Sequence, residues 1–156
     1  MRTLDRAKPI HKKPWASLIA IAALVASVSA SAGELDGKGI ICHSEKSVTG
    51  EPEWYWFAQG RVTQSNLGTN GTKAEVLALD LGEYGTEPTM VRWRSDSMQH
   101  KLDRRTLIHR ASSYGEEYWV SQCEVAESWE VMRESIQTFK LRRQQAIDEQ
   151  TRGNKI

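Results

Sequence analysis

Cysteine, proline and histidine are scarce in this chain of 156 residues, which contains two, four and four of them, respectively. Two cysteines are too few for a small scaffold held together by many disulfides. The histidines form no H-E-x-x-H motif or other closely spaced ligand set, and no G-x-S-x-G segment is present. We therefore predict no metal site, no cofactor and no catalytic residues, and an enzyme is less favoured than a binding protein.

Positive charge is concentrated at the amino end of the chain. Residues 1–14 contain five Lys and Arg against one Asp, and an uncharged, mostly apolar segment follows over 15–28. Small residues then lead to Ala30 and Ala32, in the A-x-A pattern of a signal peptidase site. This order predicts a cleaved secretory signal over 1–32. The alternative is an uncleaved anchor, since about 20 apolar residues span a bilayer; both place the domain outside the cytoplasm, periplasmic or secreted.

The remaining chain, residues 33–156, has no excess of positive charge. Cleavage would remove five cations and one anion, so 21 Lys and Arg become 16, 20 Asp and Glu become 19, and the net charge becomes −3. Nucleic-acid binding is disfavoured because it depends on a positive field facing the phosphates. The 124 residues left are enough for one domain. With the signal cleaved, we expect no stable membrane span.

Short apolar segments separated by turn residues recur through residues 33–127, about every ten residues, which is typical of an antiparallel barrel or sandwich. We predict about seven strands in a meander, with Lys101–Arg110 forming one bent strand. Residues 74–82 are compatible with a strand or a helix, because their apolar side chains both alternate and fit one helical face. The turn-rich neighbours favour a strand.

The two cysteines fall in the first and last predicted strands. Outside the cytoplasm, Cys42 and Cys123 are expected to form a disulfide. That bond requires the two strands to lie close together. A meander whose ends meet is a closed barrel, and a sandwich whose two strands face each other would satisfy the bond equally well. The architecture alone resembles lipocalin-like barrels and small exported inhibitor barrels.

A helix is predicted over 128–147, followed by a frayed tail over 148–156. Ser128 is a suitable N-cap. The apolar residues that follow have the spacing of one helical face: Trp129, Met132, Ile136 and Phe139. This stripe either docks a partner or covers the chain's own sheet.

Two groups of side chains are candidates for ligand binding. In a strand, Trp54 and Trp56 share one face and Tyr55 and Phe57 share the other. The tryptophans either form a ligand surface or are covered by the helix. Arg92 and Arg94 alternate with apolar residues. They belong either to a basic patch for an anion or to a solvated face balanced by carboxylates.

The sequence therefore predicts an exported binding protein for a small molecule or an envelope protein partner. An alternative is an interaction or assembly protein of the cell envelope that acts through its carboxy-terminal helix. A hydrolase is a third function, which would require a buried polar cluster around His100 or His109.

Overall fold

The computed structural model describes residues 35–153, which form a closed antiparallel barrel of eight strands and one helix. The strands follow one another around the barrel in chain order, and the last pairs with the first. The predicted β class with a carboxy-terminal helix is confirmed, and the barrel replaces the sandwich alternative. The elements are β1 (Lys38–His43), β2 (Glu53–Ala58), β3 (Arg61–Asn70), β4 (Lys73–Thr86), β5 (Met90–Ser95), β6 (Met98–Asp103), β7 (Ile108–Ser113), β8 (Glu116–Ala126) and α1 (Trp129–Gly153).

Local turn chemistry explains the hairpins. Gln59 and Gly60 connect β2 to β3, and both have positive φ, at 53° and 71°. Tyr114 and Gly115 connect β7 to β8 with φ of 50° and 85°. Two-residue loops with positive φ at both positions match the right-handed twist of the strands that they join.

Strand alternation divides the side chains between the barrel interior and its outer surface. Ile40 and Cys42 of β1 point inward with Tyr55 and Phe57 of β2, and together they belong to the interior apolar cluster. The interior is filled by side chains, since Tyr55 and Phe57 are completely buried. The barrel is therefore a packed core that opens at its two ends.

Helix α1 lies on the outer surface, where it covers the other face of β1 and β2. Ser128 caps its amino end, accepting a hydrogen bond from the backbone N–H of Val131 at 3.4 Å. Met132 and Ile136 are buried against outward-facing residues of the barrel, including Ile41, Trp54 and Ala126. The apolar stripe of the helix thus covers the chain's own sheet.

Glycine makes the close approach of the helix feasible. A Cβ at Gly39 would clash with the Met132 side chain, the Trp56 ring and the backbone oxygen of Tyr55. Further along, Gln144 accepts the Ala74 backbone N–H and donates to the Thr72 carbonyl, each at 2.8 Å. The helix is therefore held against the barrel from its first turn to Gln144.

Two boundaries differ from the sequence prediction. The segment predicted as one bent strand, Lys101–Arg110, is the end of β6, a loop and the start of β7, which raises the strand number to eight. The loop forms because the Asp103 carboxylate accepts the N–H groups of Arg105 and Thr106 at 2.9 and 3.0 Å. Residues 74–82 lie in strand β4, which agrees with the strand that the sequence pattern favours.

The second difference is at the helix end. Helix α1 continues to Gly153, six residues beyond the predicted end at 147, so residues 148–153 are helical. Polar contacts within the helix support this end: Gln144 donates to Asp148 at 2.9 Å, and the Thr151 hydroxyl donates to the Ile147 carbonyl at 2.8 Å. The sequence pattern predicts an earlier end because the apolar stripe stops before these polar residues.

The predicted signal, residues 1–32, lies outside the described residues. Within residues 35–153, no helix combines the length and apolar character needed to cross a bilayer.

Candidate functional site

The first candidate site is a concavity at the end of the barrel where β1 begins, here called the apolar mouth. Its volume is about 180 Å³. The floor is formed by buried side chains of four strands, and partly exposed apolar residues form the wall. Floor and wall together comprise Ile40, Phe57, Val91, Leu102, Leu35, Leu107 and Val125.

Charged side chains lie at the rim of the apolar mouth. Lys38, Arg104 and Glu127 line it, so the rim has one positive charge in excess. Lys38 contacts Glu127 at 3.1 Å, and both side chains are well exposed. Arg104 donates to the Glu87 backbone carbonyl at 3.2 Å. An apolar floor beneath a positive rim suits a compact apolar group that carries an anionic substituent.

The loop beside the apolar mouth has a strained backbone. Leu107 has φ of 54°, a region that residues with a Cβ rarely adopt. Two backbone hydrogen bonds fix Leu107 in this conformation. Its N–H donates to the Asp103 carbonyl and its carbonyl accepts the Cys123 N–H, each at 2.9 Å. Backbone N–H groups bonded to its carboxylate hold the pKa of Asp103 below its usual value. The wall of the mouth is thus fixed to β8.

The opposite end of the barrel, here called the polar mouth, is a concavity of about 160 Å³ lined by Cys42, Ser44, Lys46, Ser47, Glu51, Glu53 and Trp119. Burial raises the pKa of Glu53, while a hydrogen bond from Tyr55 acts in the opposite direction. The Tyr55 hydroxyl donates to Glu53 at 3.1 Å and accepts from Gln64 at 3.3 Å. These neighbouring side chains of β2 and β3 hydrogen-bond one another on the inner face of the sheet.

A chain of polar side chains lies between the two mouths. Ser95 Oγ is 3.0 Å from His100 Nε2, and His100 Nδ1 is 3.1 Å from His109 Nε2. Both imidazoles are buried and lie parallel to the Trp93 indole, with ring centroids 5.1 and 5.3 Å from it. We call Ser95, His100 and His109 the histidine chain.

Burial determines the charge of the histidine chain. It lowers the pKa of His100 to about 4. Burial and, to a smaller extent, the neighbouring His100 together lower the pKa of His109 to about 3. Both rings are therefore neutral at pH 7. The geometry places a serine hydroxyl beside an imidazole, as a nucleophile would require, but a general base works best with a pKa near the working pH.

The buried polar cluster that a hydrolase would need is thus present. Its chemistry is poorly suited to the task, because no carboxylate among residues 35–153 is hydrogen-bonded to His100 or His109. A carboxylate partner stabilises the imidazolium that forms during serine hydrolysis.

The disulfide lies directly beside the histidine chain. Cys42 and Cys123 are paired residues of β1 and β8, and their sulfur atoms are 2.07 Å apart. The disulfide that the sequence predicts is therefore present. The two sulfur atoms and a ring nitrogen of His109 all lie within 4.8 Å of one another. His109 Nδ1 and the Ser121 hydroxyl are buried without a hydrogen-bond partner in the described structure.

The structure separates the residues that the sequence proposed for ligand binding. Trp54 is only 1% exposed and its Nε1 donates to Ser135 of the helix at 3.0 Å. Trp56 is half-buried against Trp129, with ring centroids 5.3 Å apart. The pair is therefore covered by the helix and is not an open surface. Of the two arrangements that the sequence allows, a ligand surface or a pair covered by the helix, the structure has the second.

The predicted arginines point outward from β5, away from the tryptophans. Arg92 is paired directly with Lys101, which is in turn paired with Arg110, so a row of cations crosses three strands. Glu87 contacts Arg92 at 3.1 Å and Glu117 contacts Arg110 at 2.9 Å, which balances much of this charge. Arg94 is exposed in the next outward position of β5 and is paired with Gln99.

The apolar stripe of helix α1 is partly buried and partly exposed. Met132 and Ile136 are buried and Phe139 is partly buried against the barrel, whereas Trp129 is 42% exposed. Most of the apolar surface proposed for a partner is thus already used internally.

Sequence reasoning missed the histidine chain and its contact with the disulfide. His100 and His109 are nine positions apart, and both face inward from paired strands, with His100 opposite Ala111 and His109 opposite Leu102. The signal that could have found them is strand alternation: His109 is one residue from Arg110, whose polar side chain belongs to the solvated face.

Comparison with known proteins gives no match: no family model, curated protein or solved structure corresponds to this chain.

Proposed function

We propose that this is an exported binding protein that holds a small amphipathic anion in its apolar mouth. One observation carries the proposal: a concavity of about 180 Å³ has an apolar floor and a rim with two cations and one anion. A closed apolar cavity of roughly 150 Å³ is enough to hold benzene. The expected ligand therefore has one aromatic ring or a short branched acyl group, with a carboxylate that reaches Lys38 or Arg104.

Export is supported by the predicted signal over 1–32 and by the disulfide between Cys42 and Cys123. Disulfides persist in oxidising compartments outside the cytoplasm. A ligand presented at an open barrel end reaches its site directly from the surrounding solution.

The test is a titration of the full chain with phenylacetate and hexanoate, followed by NMR or calorimetry. Val125 is 40% exposed in the wall of the mouth, so Val125→Trp should fill the concavity and abolish binding. Val120→Trp is the matched control, because Val120 is a similarly exposed valine of β8 outside the mouth, and it should bind normally.

A second variant tests the charge of the rim. Lys38→Gln should weaken carboxylate binding roughly tenfold, since the Lys38 side chain is half-exposed and a hydrogen bond to a charged group contributes about 1.5 kcal/mol at the lower end of its range. Lys73→Gln removes an exposed cation at the β3–β4 turn and should have no effect. Equal binding by the neutral amide of either acid, or binding that survives Val125→Trp, would refute the proposed site.

An assembly protein that acts through α1 is the second candidate. The exposed Trp129, together with Val131 and Leu141 on the helix surface, is the feature that favours it. It ranks below the apolar mouth because the centre of the predicted stripe, Met132 and Ile136, is already buried against the barrel.

A further inference from the structure

Two cysteines and one histidine converge inside the barrel. Cys42, Cys123 and His109 are all buried, and one possible metal-ligand atom of each lies within 4.8 Å of the others. Sulfur and imidazole nitrogen are the donors that thiophilic metal ions prefer. In the disulfide form the sulfurs are bonded to each other, so they are available as thiolates only after reduction.

The hydrogen bonds around His109 leave one ring nitrogen for a ligand. Its Nε2 is 3.1 Å from His100 Nδ1, and His100 Nε2 is 3.0 Å from Ser95 Oγ. If each Nε2 carries the proton, both N–H groups have an acceptor and the lone pair of His109 Nδ1 is left unshared. The opposite arrangement would leave a buried N–H at His109 Nδ1 without an acceptor, since that atom has no partner.

This arrangement has the form of a metal-binding histidine. Such histidines usually donate the second ring N–H to a neighbouring group, which fixes the tautomer and the orientation of the ring. Here His100 is the acceptor, and Ser95 in turn holds His100. His109 Nδ1 is thus a buried donor atom with no protein partner.

The sheet, rather than the disulfide alone, holds the two sulfurs together. Cys42 and Cys123 are directly opposite in the pairing of β1 with β8, and residues on both sides of them are also paired. Backbone hydrogen bonds of the two strands do not depend on the redox state of the sulfurs. The reduced thiols would therefore stay side by side next to His109.

We propose that reduction of the disulfide converts Cys42, Cys123 and His109 into a buried binding site for a thiophilic metal ion, Zn²⁺ or Cu⁺. A dithiol reductant supplies two electrons and two protons, which break the S–S bond and give two thiols while the reductant becomes a disulfide. Metal binding then releases the two thiol protons to solvent. His109 contributes the lone pair of its neutral ring and releases no proton.

Charge and ligand number distinguish the two ions. Two thiolates and a neutral imidazole balance Zn²⁺, and Ser121, whose unpaired buried hydroxyl stands opposite His109 in the register, offers an oxygen for the fourth position. Cu⁺ requires no fourth ligand but leaves one negative charge in the barrel interior. The disulfide and the metal-bound form are alternative states of the same three side chains.

The experiment uses the full chain reduced with a phosphine, with Co²⁺ as the spectroscopic probe for the Zn²⁺ site. Reduced wild type should develop a thiolate-to-Co²⁺ charge-transfer band that Zn²⁺ abolishes, whereas the oxidised protein should not. A parallel competition with a chromogenic Cu⁺ chelator measures Cu⁺ affinity. The Co²⁺ band thus reports a site for Zn²⁺, and the chelator competition reports a site for Cu⁺.

Matched histidine variants locate the site. His109→Leu should lose the band, and His100→Leu should weaken Co²⁺ binding roughly 10–100-fold because His100 fixes the tautomer of His109. His43→Leu is the control, since His43 follows Cys42 in the sequence but is exposed on the outer surface. It should bind Co²⁺ as wild type does.

The outcome is decisive even where folding fails. If reduced wild type unfolds, Zn²⁺ should restore its near-UV circular dichroism, because metal binding is coupled to folding. If His109→Leu unfolds, alkylation of its thiols should be as fast with Zn²⁺ as without it, whereas Zn²⁺ should protect wild type. The proposal is overturned if reduced wild type shows neither a Co²⁺ band nor Cu⁺ binding in the chelator competition, or if wild type and His109→Leu bind both probe ions equally.

Discussion

Acidification should destabilise this protein well before its carboxylates titrate. The pKa of His100 is lowered to about 4 and that of His109 to about 3, mainly by burial, against 6.5 in a model peptide. A histidine whose folded-state pKa is depressed is neutral in the folded barrel and takes up a proton on unfolding. Its contribution to stability is complete above pH 6.5 and is lost as the pH falls toward the folded-state value.

The magnitude follows from linkage. Each pH unit below 6.5 costs about 1.4 kcal/mol for each histidine that is protonated only in the unfolded state. Between pH 7.5 and pH 5 the loss is therefore about 2 kcal/mol for each ring and about 4 kcal/mol for the pair. Glu53 has the opposite effect on stability at low pH. Burial raises its pKa in the folded state, so it takes up a proton more readily in the folded protein and its protonation stabilises the fold.

The assay is urea unfolding of the oxidised protein in a metal chelator, followed by tryptophan fluorescence between pH 7.5 and 5. The His100→Gln/His109→Gln variant should lose the dependence on pH, and the exposed His43→Gln variant should keep it. Measurement in a Glu53→Gln background isolates the histidine contribution. An unfolding free energy that changes by less than about 1 kcal/mol over this range, or a double variant that keeps the wild-type slope, would refute the reasoning.

Three further predictions concern the packing and closure of the barrel. Replacing both cysteines by alanine should lower the unfolding free energy by about 4.5 kcal/mol, as the chain-entropy model gives for a sequence separation of 81, and reduction of wild type should give the same loss in urea. Gly39→Ala should lower the free energy of unfolding by about 1–3 kcal/mol, because the added Cβ meets the helix and the backbone. Gly85→Ala is the control and should be close to neutral, because a Cβ there has open space. Equal losses in the two variants would contradict the close approach of the helix. Met132→Ala should lower the free energy of unfolding by about 2–5 kcal/mol, measured in thermal or urea unfolding, because Met132 is buried. The exposed Val131→Ala should lower it by no more than about 0.5 kcal/mol. A small loss at Met132 would show that the helix is not docked.

The strands could be read from the sequence because their signals are local. Turn residues and alternation locate β1, β2 and β5. The same approach misplaced the boundary inside Lys101–Arg110, because that loop depends on the Asp103 carboxylate capping two backbone N–H groups and on a positive φ at Leu107. Leucine gives no sequence signal for such a conformation.

The site was less accessible to sequence reasoning. Strand alternation pairs Trp54 with Trp56 but does not say which face of β2 is inside. That choice depends on which residues cover the outer face, and helix α1, distant in sequence, covers it. For the same reason Arg92 and Arg94 were correctly placed on one face, while their neighbours across the sheet, such as Lys101, became known only from the register.

The sequence by itself determined the charge distribution, the strand and helix content and the pairing of Cys42 with Cys123, because these follow from local pattern and from the presence of only two cysteines. Only the tertiary structure decided that the barrel is filled, that one end has an apolar mouth, and that His100 and His109 meet beside the disulfide. Barrel closure brings together side chains from strands that are far apart in the sequence. No local periodicity records which of those inward-facing side chains become neighbours.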